Sequence, residues 1–171
     1  MAITISGDGT ITGITAGGLP DGIITADELA SGVGGKVLQV VQGTSSSGSS
    51  TSSGTFVDTG LSASITPSST SSKVAVIVFQ PMFVGQSDST TAWYFIQLLR
   101  GSTFLTKQHN QFAGSSTGQY TLPSHISYLD SPATTSSITY KTQCLTYNTQ
   151  NTIYLNWDTS VSSMILMEIA G

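Results

Sequence analysis

After residue 31 the chain shows no 3.6-residue periodicity. What it shows is period-two alternation and short apolar runs closed off by turn residues. Leu61, Ala63 and Ile65 alternate with Ser62, Ser64 and Thr66, the pattern of a strand with one face buried. Further runs lie at 37–41, 73–84, 91–100, 103–107, 119–129, 138–147, 152–157 and 162–170. With 61–66 they make nine strand candidates, ten if Thr55–Thr59 stands apart. Gly, Pro, Asn and Ser separate them, as hairpins and corners require. Many short strands at this spacing predict an all-β fold, an antiparallel β-sandwich of jelly-roll type.

Several of these strands are apolar on both faces. Val74, Val76, Val78, Met82 and Val84 share one parity of 74–84, and Ala75, Ile77, Phe79 and Phe83 share the other. Trp93, Phe95 and Leu99 oppose Tyr94, Ile96 and Leu98, and Met164 and Leu166 oppose Ile165, Met167 and Ile169. The outer face of an antiparallel sandwich is ordinarily polar. Two-sided strands therefore call for a second cover, from the N-terminal segment or another subunit. Phe79, Phe83, Trp93, Phe95, Ile165 and Met167 are the candidate oligomer-interface residues. Pro81 lacks an N–H and predicts an edge or a bulge. The run 43–54 (GTSSSGSSTSSG) reads either as a flexible loop or as a polar edge strand without core residues.

All 14 aromatics (6 Phe, 6 Tyr, 2 Trp) lie from Phe56 onward. Aromatics dominate core burial, so residues 1–35 cannot easily build a core. Ile3, Ile5, Ile11 and Ile14 recur there among Thr and Gly, with turns at 7–9 and 17–22. Thr25–Glu28 matches a capping box, which allows at most one short helix. These residues read as an extended arm (1–35) that gains order on a partner, with Ile3, Ile5, Ile11 and Ile14 as its attachment residues. Residues 36–171 read as the β-sandwich head.

Charge removes several functions. Only 8% of residues are charged, against about 25% in ordinary domains, and five Lys+Arg face nine Asp+Glu for a net charge of −4. Such a chain does not supply the positive charge that nucleic acid needs. No apolar run approaches the ~20 residues of a membrane helix, and no N-terminal signal pattern is present. Cys144 alone makes no disulfide. Ser and Thr supply 28 and 25 residues. A surface so poor in charge resists association weakly, which suits a component of an assembly.

Catalytic constellations are missing from the pattern. Asp8, Asp21, Asp88, Asp130 and Asp158 sit in turn contexts, which Asx turns explain. His125 falls on the polar parity of its strand, His109 in a polar stretch read as a turn, and Cys144 on a buried parity. No Cys-x-x-Cys, His-x-His or His-Glu-x-x-His spacing occurs, no calcium loop, and no glycine-rich phosphate loop before a helix. The reading is non-enzymatic, with no cofactor, no metal, no nucleic acid and no membrane partner. Trp93 and Trp157 are able to stack on a sugar ring, but each lies in an apolar run, which assigns them to core or interface.

The opening MAITISGDGTITGITAGGLPDGIITADELASG resembles the N-termini of fibre-like virion proteins of tailed phages, many of them cyanophages. GKVLQVVQ (35–42), TFVDTGLSASITPSSTSSKVAVIV (55–78), FIQLLRGST (95–103), SYLDSPATTSSITYKTQ (127–143) and ILMEIAG (165–171) continue the resemblance in order. It implies a virion structural component, a short tail fibre forming a homotrimer with a β-sandwich head. Its arm would dock on other virion proteins of baseplate, tail or capsid, and its head would face a host-surface glycan. A capsid decoration protein is the alternative, and a glycan-binding module the third.

Overall fold

The structure, a computed structural model, describes residues 4–5, 11–12, 36–86, 91–112, 118–147 and 151–171. The chain divides into two compact units, Met1–Lys36 and Val37–Gly171. In the first, β1 (Thr4–Ile5) and β2 (Ile11–Thr12) pair antiparallel, with Ile5 opposite Ile11. Ile3, Ile14 and the capping-box segment at 25–28 lie outside the described residues.

The second unit is all β among its described residues: β3 (Val37–Ser45), β4 (Ser49–Thr51), β5 (Val57–Ile65), β6 (Lys73–Gln80), β7 (Met82–Gln86), β8 (Ala92–Arg100), β9 (Thr103–Phe112), β10 (Gly118–Thr121), β11 (Ser124–Asp130), β12 (Ile138–Thr146), β13 (Thr152–Leu155) and β14 (Ser162–Ile169). They form three four-stranded antiparallel sheets, ordered β11-β6-β14-β3, β10-β7-β13-β4 and β5-β12-β8-β9. The first two sheets share one order because they are two halves of one bent sheet. β3 leads into β4, β6 into β7, β10 into β11, and β13 into β14.

That bend makes the topology plain. Four broken strands and four whole ones give eight long strands, taken in chain order. One sheet then runs sixth–third–eighth–first, and the other second–seventh–fourth–fifth. This is the interlocked double Greek key of a jelly roll. The expected sandwich is therefore what forms.

The bend has a cause in the sequence. β10 pairs with β7 through Thr121 opposite Phe83, and β11 pairs with β6 from Ser124 opposite Gln80. The same register carried across sets Pro123 opposite Pro81. Neither proline has an N–H to give the ladder, so pairing lapses on both strands at one level. The amide of Leu122 donates to the carbonyl of Met82 at 2.8 Å and holds the joint. Pro81 thus lies in an inner strand, not at an edge, and is tolerated because its neighbour is also proline. The strand expected over 119–129 is split at the same place.

The alternation read from the sequence matches the burial. Val74, Val76, Val78, Met82, Val84, Tyr94, Ile96, Leu98, Met164 and Leu166 all enter the core. Ile77 and Phe79 point outward. The polar run 43–54 is edge structure, containing the end of β3 and all of β4, each at the border of its sheet. A Cβ on Gly43 would lie 2.2 Å from the carbonyl oxygen of Ser62 and 2.8 Å from the Ala63 Cβ. The borders of the two sheets therefore approach at a spacing only glycine fits.

Three expectations need correction. His109 is not in a turn: β9 extends to Phe112, because Lys107–Gln111 pair with Trp93–Gln97 across the hairpin. Asp130 is not an Asx-turn residue. It ends β11 and is buried, accepting from Arg100 Nη1 at 2.8 Å and from the Tyr140 hydroxyl at 2.6 Å. Trp157 is not in a strand but in the loop between β13 and β14.

Candidate functional site

The described groups capable of acid, base or nucleophilic chemistry are scattered, and most are occupied. His109 stacks on Phe95 with ring centroids 4.6 Å apart, and His125 tilts against Phe79 at 5.0 Å. The two imidazoles lie on the outer faces of different sheets. Cys144 is fully buried, and burial pushes its thiol up to about 12, so it holds no thiolate at neutral pH. Glu168 is buried too. Burial pushes its carboxyl up, but hydrogen bonds outweigh this and hold it at about 2. They come from Gln39 Nε2 at 2.6 Å and from the Ser68 hydroxyl and amide at 2.6 and 2.7 Å. Its role is to tie the turn after β5 to β14 and β3. No group of three His, Cys, Asp or Glu able to hold a metal ion occurs among the described residues.

The interface candidates separate onto two faces. Phe79 on β6 and Ile165 and Met167 on β14 point out from the β11-β6-β14-β3 sheet. Trp93 and Phe95 on β8 point out from the other sheet, where Trp93 meets His109 at 5.4 Å and Tyr147 at 5.6 Å. Phe83 lies in β7, opposite Tyr154.

The first face is the more continuous. Register sets Val40, Met167, Ala75 and Leu129 in one row across four strands. The next row holds Gln42, Ile165, Ile77 and Ser127, and the third Thr44, Ser163, Phe79 and His125. Val40 is 60% exposed, Leu129 55% and Ile77 45%. The first row is apolar across the whole width of the sheet, and Ile165, Ile77 and Phe79 extend it along the two inner strands.

A second feature lies at the bend. Register leaves β13 and β14 with six residues, Asn156–Val161, bridging a gap that Ser46–Gly48 cross on the neighbouring edge. The excess is extruded as a loop, and Asn156, Asp158 and Thr159 hold it with φ of 52°, 53° and 62°. Asn and Asp tolerate this left-handed conformation, but a β-branched Thr rarely adopts it. The loop is held from beneath by a buried polar chain. Asn156 Nδ2 donates to the Ser47 carbonyl at 3.1 Å, and its Oδ1 accepts from the Ser162 hydroxyl. Ser162 accepts from Gln80 Nε2 at 2.8 Å, and Gln80 Oε1 accepts from the Thr142 hydroxyl at 2.9 Å. Thr142 meets the Thr59 hydroxyl at 2.5 Å. The chain crosses the sandwich from one sheet to the other.

Above it, Gly48, Ser49, Ser50, Tyr154, Asn156, Trp157 and Asp158 line a cleft of about 350 Å³. Trp157 is 48% exposed and meets Tyr154 edge to face at 5.2 Å. Tyr154 lies over bare backbone, since a Cβ on Gly85 would come within 2.9 Å of its Cε2. Sequence reasoning missed this cleft because it placed Trp157 in a strand. The signal was the run Asn156-Trp-Asp-Thr-Ser160, in which four turn-forming residues surround one aromatic.

Fold and site together define a jelly-roll protein whose exposed features are an apolar sheet face and a small aromatic cleft. No family model matches the chain, and no curated protein matches it. Solved structures that resemble it include two from infectious bursal disease virus. The VP2 subviral particle is 14% identical with a TM-score of 0.37, over 78% of this chain and 33% of that one. The Gx strain structure is 14% identical with a TM-score of 0.41, over 79% and 33%. This chain thus spans about a third of those proteins' length. A likeness of that degree carries no argument, and the jelly roll rests on the strand order itself.

Proposed function

We propose that the chain is a non-enzymatic structural protein of a phage particle, a short homotrimeric tail fibre whose head is the jelly roll. The observation that carries this reading is the apolar band of Val40, Met167, Ile165, Ile77, Phe79 and Leu129 on the outside of a sheet. A free monomer keeps such patches small, whereas an obligate interface resembles a core cut in half. The motifs that resemble fibre-like virion proteins supply the particle, and the scattering of the described titratable groups supports a role without catalysis.

The test is the mass of the full-length protein by light scattering at micromolar concentration, followed by its position in the particle by cryo-electron microscopy. A trimer is expected, with Ile77→Glu reducing it to monomer while the circular dichroism spectrum stays β-rich. A stable wild-type monomer would overturn the assembly reading. Density on the capsid surface rather than the tail would replace the fibre with a decoration protein.

A further inference from the structure

We propose that the cleft at the sheet bend is a binding site for a neutral saccharide, with a hexopyranose ring laid on Trp157 and its hydroxyls held by Asp158 and Ser50. The site is independent of whether the protein is a fibre. At about 350 Å³ the cleft falls within the range of roughly 300–1,000 Å³ that small-ligand pockets occupy.

Its chemistry is selective. A pyranose has one flat C–H face and a rim of hydroxyls, so it needs an apolar ring beside polar partners. Trp157 supplies the ring, half-exposed and braced by Tyr154 at 5.2 Å. Asp158 and Ser50 line the same cleft, Ser50 on the face of β4 that carries its cross-strand partner Tyr154, and neither the Asp158 carboxylate nor the Ser50 hydroxyl has a hydrogen-bond or ionic partner among the described residues. A carboxylate accepts from two neighbouring sugar hydroxyls at once, and charge-assisted bonds of that kind are the strong ones.

Competing ligands fit less well. A quaternary ammonium needs rings that enclose it, but Trp157 and Tyr154 touch each other directly and leave no gap between them. The base of a nucleotide would stack equally well, but the nucleotide's phosphate would meet Asp158, and no Lys or Arg is among the described residues that line the cleft. The same charge argues against uronic acids. The construction of the loop points the same way. Asn156 turns its whole amide down into the buried chain through Ser162 and Gln80, which leaves Trp157 and Asp158 projecting above it.

The experiment is calorimetric titration of the full-length protein with neutral oligosaccharides of glucose, galactose, mannose and N-acetylglucosamine, with oligogalacturonate and choline as the charged arms. At least one neutral sugar should bind, and oligogalacturonate and choline should not. Trp157→Ala should weaken binding at least about tenfold, while Trp157→Phe keeps it within about threefold of wild type. Asp158→Asn, which suits the left-handed backbone, should weaken binding with an unchanged melting temperature. Trp93→Ala should bind as wild type. The proposal is overturned if no neutral sugar binds at millimolar concentration, or if oligogalacturonate or choline binds more tightly. It is equally overturned if affinity survives Trp157→Ala or falls as far in Trp93→Ala.

Discussion

Gln80 is fully buried, yet both ends of its amide are occupied, one by Ser162 and one by Thr142. A buried polar group without a partner costs about 1–3 kcal/mol. Gln80→Ala takes one partner from each of two buried hydroxyls and opens a cavity, so we expect a loss of about 2–4 kcal/mol in denaturant unfolding. Gln80→Leu should recover part of the cavity cost but none of the polar cost. Asp130 is the second such residue, serving both Tyr140 and Arg100, and burial with that contact raises the Tyr140 hydroxyl well above its usual range. Cys144 offers a simpler check. With its thiol raised to about 12 and no surface, it should resist a thiol reagent at pH 8 in the native state and react fully in denaturant. Its burial was legible from alternation alone. The partners of Gln80 and Asp130 were not, because they come from strands 62 and 82 positions away for Gln80, and 10 and 30 positions away for Asp130.

At the scale of elements, the close crossing of β3 over β5 depends on Gly43. Its Cβ would meet backbone, which cannot rotate away. Gly43→Ala should therefore cost at least about 1–3 kcal/mol, the range of overpacked cores, and lower the melting temperature. Glu168 joins β14 to β3 and to the turn at 66–72 through its hydrogen bonds, and its carboxyl is held at about 2 against an ordinary 4.5. A folded pKa below the unfolded one stabilises the fold above the unfolded value. That contribution is lost as pH falls from about 4.5 through about 2. Glu168→Gln should flatten the acid limb of the stability curve in this window and lower stability at pH 7, as urea titrations at several pH values would show. The edge strands of the Ser-rich run were legible only as one of two readings. A polar segment carries no core residue to declare its face, and only the sheet beside it decides its register.

At the scale of the whole molecule, Val37–Gly171 contains every described core residue. A chain of residues 36–171 should therefore fold alone, with the far-ultraviolet spectrum and melting temperature of the full-length head. If the fibre reading holds, it should remain oligomeric yet fail to join particles. Loss of folding on truncation would instead make residues 1–35 part of the head's structure.

The sequence by itself determined the class of fold, the parity of nearly every core strand and the surplus of apolar residues on outward faces. Those properties are local, since a strand's two faces are set by the pleat and by which side chains alternate along it. The pairing of strands distant in the chain was decided by the tertiary structure. So was the bend where Pro81 meets Pro123, and so was the extrusion of the loop that lifts Trp157 and Asp158 above the sheet. Each depends on what a second strand places opposite the first. The proline pair stops the ladder only because the two residues share a level. Asn156–Val161 becomes a loop only because β13 and β14 have neighbours in register on both sides, with no room between them for six more residues.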